Sequence, residues 1–234
     1  MGGRGAGSGG GGLAGRTPKQ DKELKKIAKR TANLKKEQYR IVDDQGNVVL
    51  MKKGNQDQVT LTVGEKRQYM DGNISIHNHP DGGTFSPVDI RDFGFGAKEI
   101  TVSSPEGTYR LINKKVGTKD QYKGWQGLVD GAEKIPQQSF TKLRKQAEQN
   151  LANSKAQKGL NEITNKWDSI RKSKGTDEAN KYFNSVKDKF DDLTQKRKAE
   201  VQKETRRLEV KPFHDYYKAN AKKHGFEYRF EKKK

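Results

Sequence analysis

Cysteine is absent from the 234 residues. That excludes disulfides and thiolate-held zinc, and it is compatible with a cytosolic setting. Apolar residues are scarce too: 29% of the chain is hydrophobic against 34% charged, lean for one compact globule, so part of the chain is expected to be extended or solvent-facing. No apolar run approaches the roughly 18 residues a membrane span needs, which argues against a membrane partner. The opening Met1-Gly2-Gly3-Arg4-Gly5-Ala6-Gly7-Ser8-Gly9-Gly10-Gly11-Gly12 lacks the apolar region of a signal peptide. A disordered glycine-rich tail over 1–16 is expected instead. There is no helix-turn-helix pattern, RRM-type aromatic motif or P-loop, so base-specific recognition has no support.

What is present divides into two compositions. Thr17-Pro18 opens a basic helix reaching about Lys36. Strands are expected at Glu37 to Val42, Val48 to Lys52, Gln58 to Val63, Ile74 to His77, Glu99 to Ser103 and Thr108 to Ile112, with Ser104-Pro105-Glu106-Gly107 as the last turn. Strands mixed with a helix that returns over them predict an α+β or mixed α/β sandwich, not a regular parallel βαβ array. Residues 17–113 would form this domain with its leading helix. Residues 114–210 read as long polar helices, interrupted near Ile135-Pro136 and Lys174-Gly175, and Tyr182, Val186, Phe190 and Leu193 recur at helical spacing as a packing face. Pro212 is expected to start another helix, Gly225 to stop it, and Phe226 to Phe230 to alternate as a strand that returns to the sheet, making the helical stretch an insertion.

Charge is uneven. Residues 1–113 carry 18 Lys+Arg against 13 Asp+Glu, and residues 114–234 carry 31 against 17. A positive helical region fits anionic partners, including non-specific nucleic acid, although many of its lysines alternate with acids as on any solvated helix.

The densest chemistry lies in Ile76-His77-Asn78-His79-Pro80 and Ser86-Pro87-Val88-Asp89. Residues two apart on a strand share a side, so Ile74 and Ile76 would face the core and Ser75, His77 and His79 the opposite side, where two imidazoles converge. Pro80 ends the strand and Asp81-Gly82-Gly83 turns the chain. Ser86 then caps a helix with Pro87 in its first position, which returns Asp89 towards the histidines. A capping box alone explains Ser86 and Asp89, and a surface strand alone explains the histidines; their conjunction favours a metal held by His77, His79 and Asp89. Three protein ligands leave one position for a reactive water, which points to hydrolysis. An HNH nuclease would need a further histidine on a following helix, and His214 and His224 lie far along the chain.

The segment resembles the JAMM/MPN metallopeptidase motif, His-x-His-Pro followed by Ser-x-x-Asp, and its HNHP spelling with a glycine-rich spacer is similar to bacterial and phage members, including RadC-like proteins. The resemblance implies an MPN-like (cytidine-deaminase-like) fold, one Zn2+ per chain on His77, His79 and Asp89, and Ser86 as oxyanion helper. It also implies a general-base glutamate on an earlier strand. Glu37 fits best, since it shares a strand face with Tyr39 and Ile41; Glu65, within Val63-Gly64-Glu65-Lys66-Arg67, is the rival. The implied substrate is a peptide or isopeptide bond in a protein or peptide, whereas the residues alone argue only for metal-assisted hydrolysis and suit zinc without excluding other metals. The glycine-rich start and polar helices resemble phage head-morphogenesis proteins, implying phage head proteins as partners and a location in the host cytoplasm or the virion. A non-catalytic minor head or RadC-like nucleic-acid-binding protein on the same scaffold is the alternative.

Overall fold

The computed structural model describes residues 15–233 except 56, 57, 81, 117, 121 and 137. Most of the expected tail, 1–14, and Asp81 of the expected turn therefore lie outside the described residues. The strands are β1 (Gln38–Val42), β2 (Val48–Lys53), β3 (Ile74–Asn78), β4 (Glu99–Ser104), β5 (Gly107–Asn113) and β6 (Phe226–Lys232). They form one sheet in the order β2-β1-β3-β4-β5-β6. Only β3 and β4 are parallel neighbours; the other pairs are antiparallel. The helices are α1 (Pro18–Thr31), α2 (Val63–Tyr69), α3 (Pro87–Ile90), α4 (Trp125–Glu133), α5 (Phe140–Asn150), α6 (Lys155–Lys174) and α7 (Thr176–Asn220). The class is α+β.

Local chemistry sets most boundaries. The β1–β2 hairpin turns on Asp43, whose Oδ1 accepts from the Gln45 and Asn47 amides, and on Gly46 at φ 81°. Thr17 and Gln20 form a capping box at the start of α1. That helix stops at Thr31, short of the expected Lys36. The expected strand over Gln58–Val63 does not form: Thr62 instead caps α2 with Glu65, and Leu61 is buried without a strand partner. Its apolar alternation was real, but the capping box draws the end of the segment into a helix. Pro212 does not begin a helix either, because α7 runs through it. Buried Phe213 and Tyr217 pack the segment beyond the proline into the core.

The sheet is covered on both faces. On one side Leu24 and Ile27 of α1 pack against Val42, Ile74 and Ile76. The other side holds the larger core, in which Tyr39, Ile41, Ile100, Val102 and Leu111 meet Phe85, Ile90, Phe93, Leu128, Phe213 and Tyr217. Every residue of β3 is buried. The expectation that the histidines face away from the core is therefore corrected: they lie on the side of the larger core, because β3 is central and the end of the chain folds back there.

The chain forms two compact units, Met1–Ile135 with Val210–Lys234, and Pro136–Glu209. Within the second, Leu143, Ala147, Ala156, Ile163, Ala179 and Val201 are buried. Leu193 packs against Gly159, and Phe183 meets Phe190 edge-on at 5.3 Å, as a packing stripe does. Residues 136–209 carry 18 Lys+Arg against 11 Asp+Glu, and the rest of the chain 31 against 19. The positive excess is thus spread over both units.

Arg16, grouped with the tail in the sequence reading, is instead buried. Its guanidinium meets Glu99, which Arg110 also grips bidentately at 2.8 and 2.9 Å, and Thr101 accepts a further bond from Arg16 at 3.1 Å. Burial opposes charge on Glu99, yet the two guanidiniums hold its carboxyl below the ordinary 4.5. Stability from this group is full above about pH 4.5 and is lost as pH falls through the depressed folded value. Glu99→Gln is expected to cost about 3–5 kcal/mol in urea denaturation by removing the buried carboxylate between two guanidiniums, which keep only the more exposed Asp21 and Glu231 as partners. The same variant should flatten the acid dependence of the melting temperature.

Candidate metal centre

His77 and His79 occupy the end of β3 and the position after it, so strand periodicity brings both rings to one side. The Nε2 atoms are 3.0 Å apart. Asp89 closes the group: its Oδ1 is 3.2 Å from His77 Nε2, and its Oδ2 is 3.7 Å from His79 Nε2. Ligand atoms at zinc distances of about 2.0–2.1 Å around a tetrahedral ion lie about 3.3–3.4 Å from one another. One donor atom from each residue falls within 4.8 Å of the others, so the geometry and the donor set fit such an ion.

The surrounding contacts orient these three groups. Asp89 Oδ2 accepts from the Ser86 amide at 2.7 Å and the Ser86 hydroxyl at 2.8 Å, which leaves Oδ1 turned to His77. The capping box of α3 and the third member of the candidate metal group use the same carboxylate. His79 donates to the backbone of Thr84, the kind of outer contact that fixes a ligating ring. Tyr39 stacks on His77 with centroids 5.5 Å apart and planes 9° from parallel. Its hydroxyl donates to Asp92 at 2.5 Å, and Lys66 holds the other Asp92 oxygen at 2.7 Å. His77 Nδ1 is buried with no hydrogen-bond partner among the described residues.

Glu37 is buried just before β1. Tyr39 pairs with His77 in the β1–β3 ladder, so continuing that register by two residues sets Glu37 opposite His79. Asn78 fixes this approach, its Oδ1 accepting from the Gln38 amide at 2.8 Å and its Nδ2 donating to the Lys36 carbonyl at 3.2 Å. It clamps the backbone on both sides of Glu37. Glu65 is elsewhere: it caps α2 and pairs with Lys52 at 2.7 Å, a bond that lowers its carboxyl to about 2. Five sequence-selected residues, Glu37, His77, His79, Ser86 and Asp89, thus belong to one region, and Glu65 does not.

No protein-family model, curated protein or solved structure matches the chain. The centre therefore rests on its own chemistry. Tyr39, Asn78, Thr84 and Asp92 escaped the sequence reading. Asn78 carried the one usable signal, a polar side chain between two histidines on a strand and so on the opposite face.

Electrostatics favours ligation. Burial lowers His79, helped by the neighbouring His77, to about 4, so its ring is neutral near pH 7. Burial opposes charge on His77 too, but Asp89, Glu37 and Asp92 outweigh it and raise the pKa. Asp89 stays ionised, its carboxyl depressed against burial by the two rings. His77 is thus the group from which a metal must displace a proton, and zinc affinity is expected to rise from about pH 5 to 8. Chelator competition should show one zinc per chain with that pH dependence, and loss of stoichiometric binding in His77→Ala, His79→Ala and Asp89→Ala.

Proposed function

We propose that the chain is a zinc-dependent metallopeptidase or isopeptidase of the JAMM/MPN type, on an MPN-like fold. The observation that carries the reading is the convergence of His77, His79 and Asp89 beside a buried glutamate delivered by the neighbouring strand. Zinc, when bound there, supplies Lewis acidity and brings a water's pKa towards about 7. Glu37 takes the proton from the attacking water and returns it to the leaving amine. Ser86 exchanges its bond to Asp89 for one to the developing oxyanion. Tyr39 keeps the His77 ring in plane, and Asn78 keeps Glu37 at its station. The glycine-rich start and polar helices support placing such an enzyme beside phage head proteins.

Zinc-loaded protein assayed on pools of quenched-fluorescence peptides and lysine isopeptides is expected to cleave one of the two classes. Treatment with 1,10-phenanthroline should abolish cleavage, and added zinc should restore it. Glu37→Gln should keep stoichiometric zinc while losing about 10²–10⁴-fold in kcat. Asn78→Ala should also keep zinc and lose part of kcat, through a loosened Lys36–Gln38 backbone. Equal activity in parent and Glu37→Gln would overturn the assignment of the base.

A further inference from the structure

Tyr217 lies on α7, in the stretch that belongs to the sheet-bearing unit, and is 0% exposed. Its hydroxyl has no hydrogen-bond partner among the described residues. The buried tyrosine on β1 is satisfied, since the Tyr39 hydroxyl donates to Asp92 at 2.5 Å. The Tyr228 hydroxyl is likewise occupied, between His214 Nδ1 at 2.7 Å and Thr84 Oγ1 at 2.9 Å. A buried hydroxyl left alone is destabilising, and a phenylalanine would fill the same space without that cost.

Its surroundings point to the metal centre. The Tyr217 ring meets Phe85 edge-on, with centroids 6.1 Å apart, and Phe85 immediately precedes Ser86, the cap of the helix that carries Asp89. Tyr228, on the other flank at 6.2 Å, bonds to Thr84, whose backbone receives His79. The segment Thr84-Phe85-Ser86 is thus seated on Tyr217 and Tyr228 while it positions two of the three ligands. Burial, then the charge of Asp89, pushes the phenol well above its ordinary value. Tyr217 therefore stays protonated at working pH and acts as a donor, not as a base.

We propose that Tyr217 is a further residue of this site, its hydroxyl donating a hydrogen bond to the carbonyl oxygen of the bound amide. The inference rests on the metallopeptidase reading and deepens it, because the substrate oxygen would then be recognised by a group from the last turns of α7 as well as by Ser86.

Cobalt-loaded full-length protein titrated with acetohydroxamate, followed by visible absorption, tests this without a turnover assay. Tyr217→Phe is expected to bind cobalt as the parent does, to melt no lower, and to bind acetohydroxamate about tenfold or more weakly. Tyr216→Phe serves as the control, since that ring touches Tyr217 while its hydroxyl points to the Gly127 carbonyl at 3.5 Å; it should match the parent. Equal acetohydroxamate affinity in the parent and Tyr217→Phe, with cobalt bound in both, would overturn the role of Tyr217 and leave the metal site standing. Failure of the parent to take up cobalt would overturn the metal reading beneath it.

Discussion

Register between β1 and β3 is the constraint on which the site depends. Tyr39 opposes His77 and Ile41 opposes Ser75, so one face of the pair carries the aromatic stack, the histidines and the approach of Glu37. A slip of β1 by one residue would turn Glu37, Tyr39 and Ile41 to the α1 side and leave the histidines without them. The slip is resisted from both faces: Ile74 and Ile76 are fixed under Leu24 and Ile27, and Tyr39 and Ile41 are fixed in the larger core. Asn78 adds a side-chain lock where the ladder ends. Hydrophobic burial on one face thus sets the spacing of polar groups on the other.

The same physics explains what could be read from the chain beforehand. A period of two on a strand and a capping box at a helix start are local rules, so His77, His79, Ser86 and Asp89 stood out without any tertiary knowledge. Glu37 was sought because the family resemblance implies a glutamate on an earlier strand, and the alternation with Tyr39 and Ile41 preferred it to Glu65. Non-local facts did not show: Arg16 finds Glu99 across 83 positions, and nothing near Arg16 in the sequence announces a buried partner. The Gln58–Val63 error was a conflict between two local rules, strand alternation against the Thr62–Glu65 capping box, and the capping box prevailed. The direction of the histidines was missed for a related reason. Alternation separates two faces, but it does not say which one the rest of the chain will cover.

Asp89 shows how economical the centre is. Its Oδ2 satisfies the Ser86 amide at the start of α3, and its Oδ1 faces His77. One carboxylate therefore caps the start of a helix and closes the group His77, His79 and Asp89 that could hold a metal ion. The four-residue α3 is too short to hold its own position by backbone bonds. Ile90 and Phe85, both fully buried, anchor it from either end. Packing of the loop is thus a condition for the placement of Asp89 beside the histidines.

The end of the chain supplies part of the larger core, and the proline inside α7 lies where that part begins. The second unit ends at Glu209 and the first resumes at Val210. Pro212 follows two residues later and, having no amide hydrogen, leaves the Leu208 carbonyl without its helical donor. The helix is weakened by one bond at the junction of the units, while Phe213 and Tyr217 are held by the core beyond it.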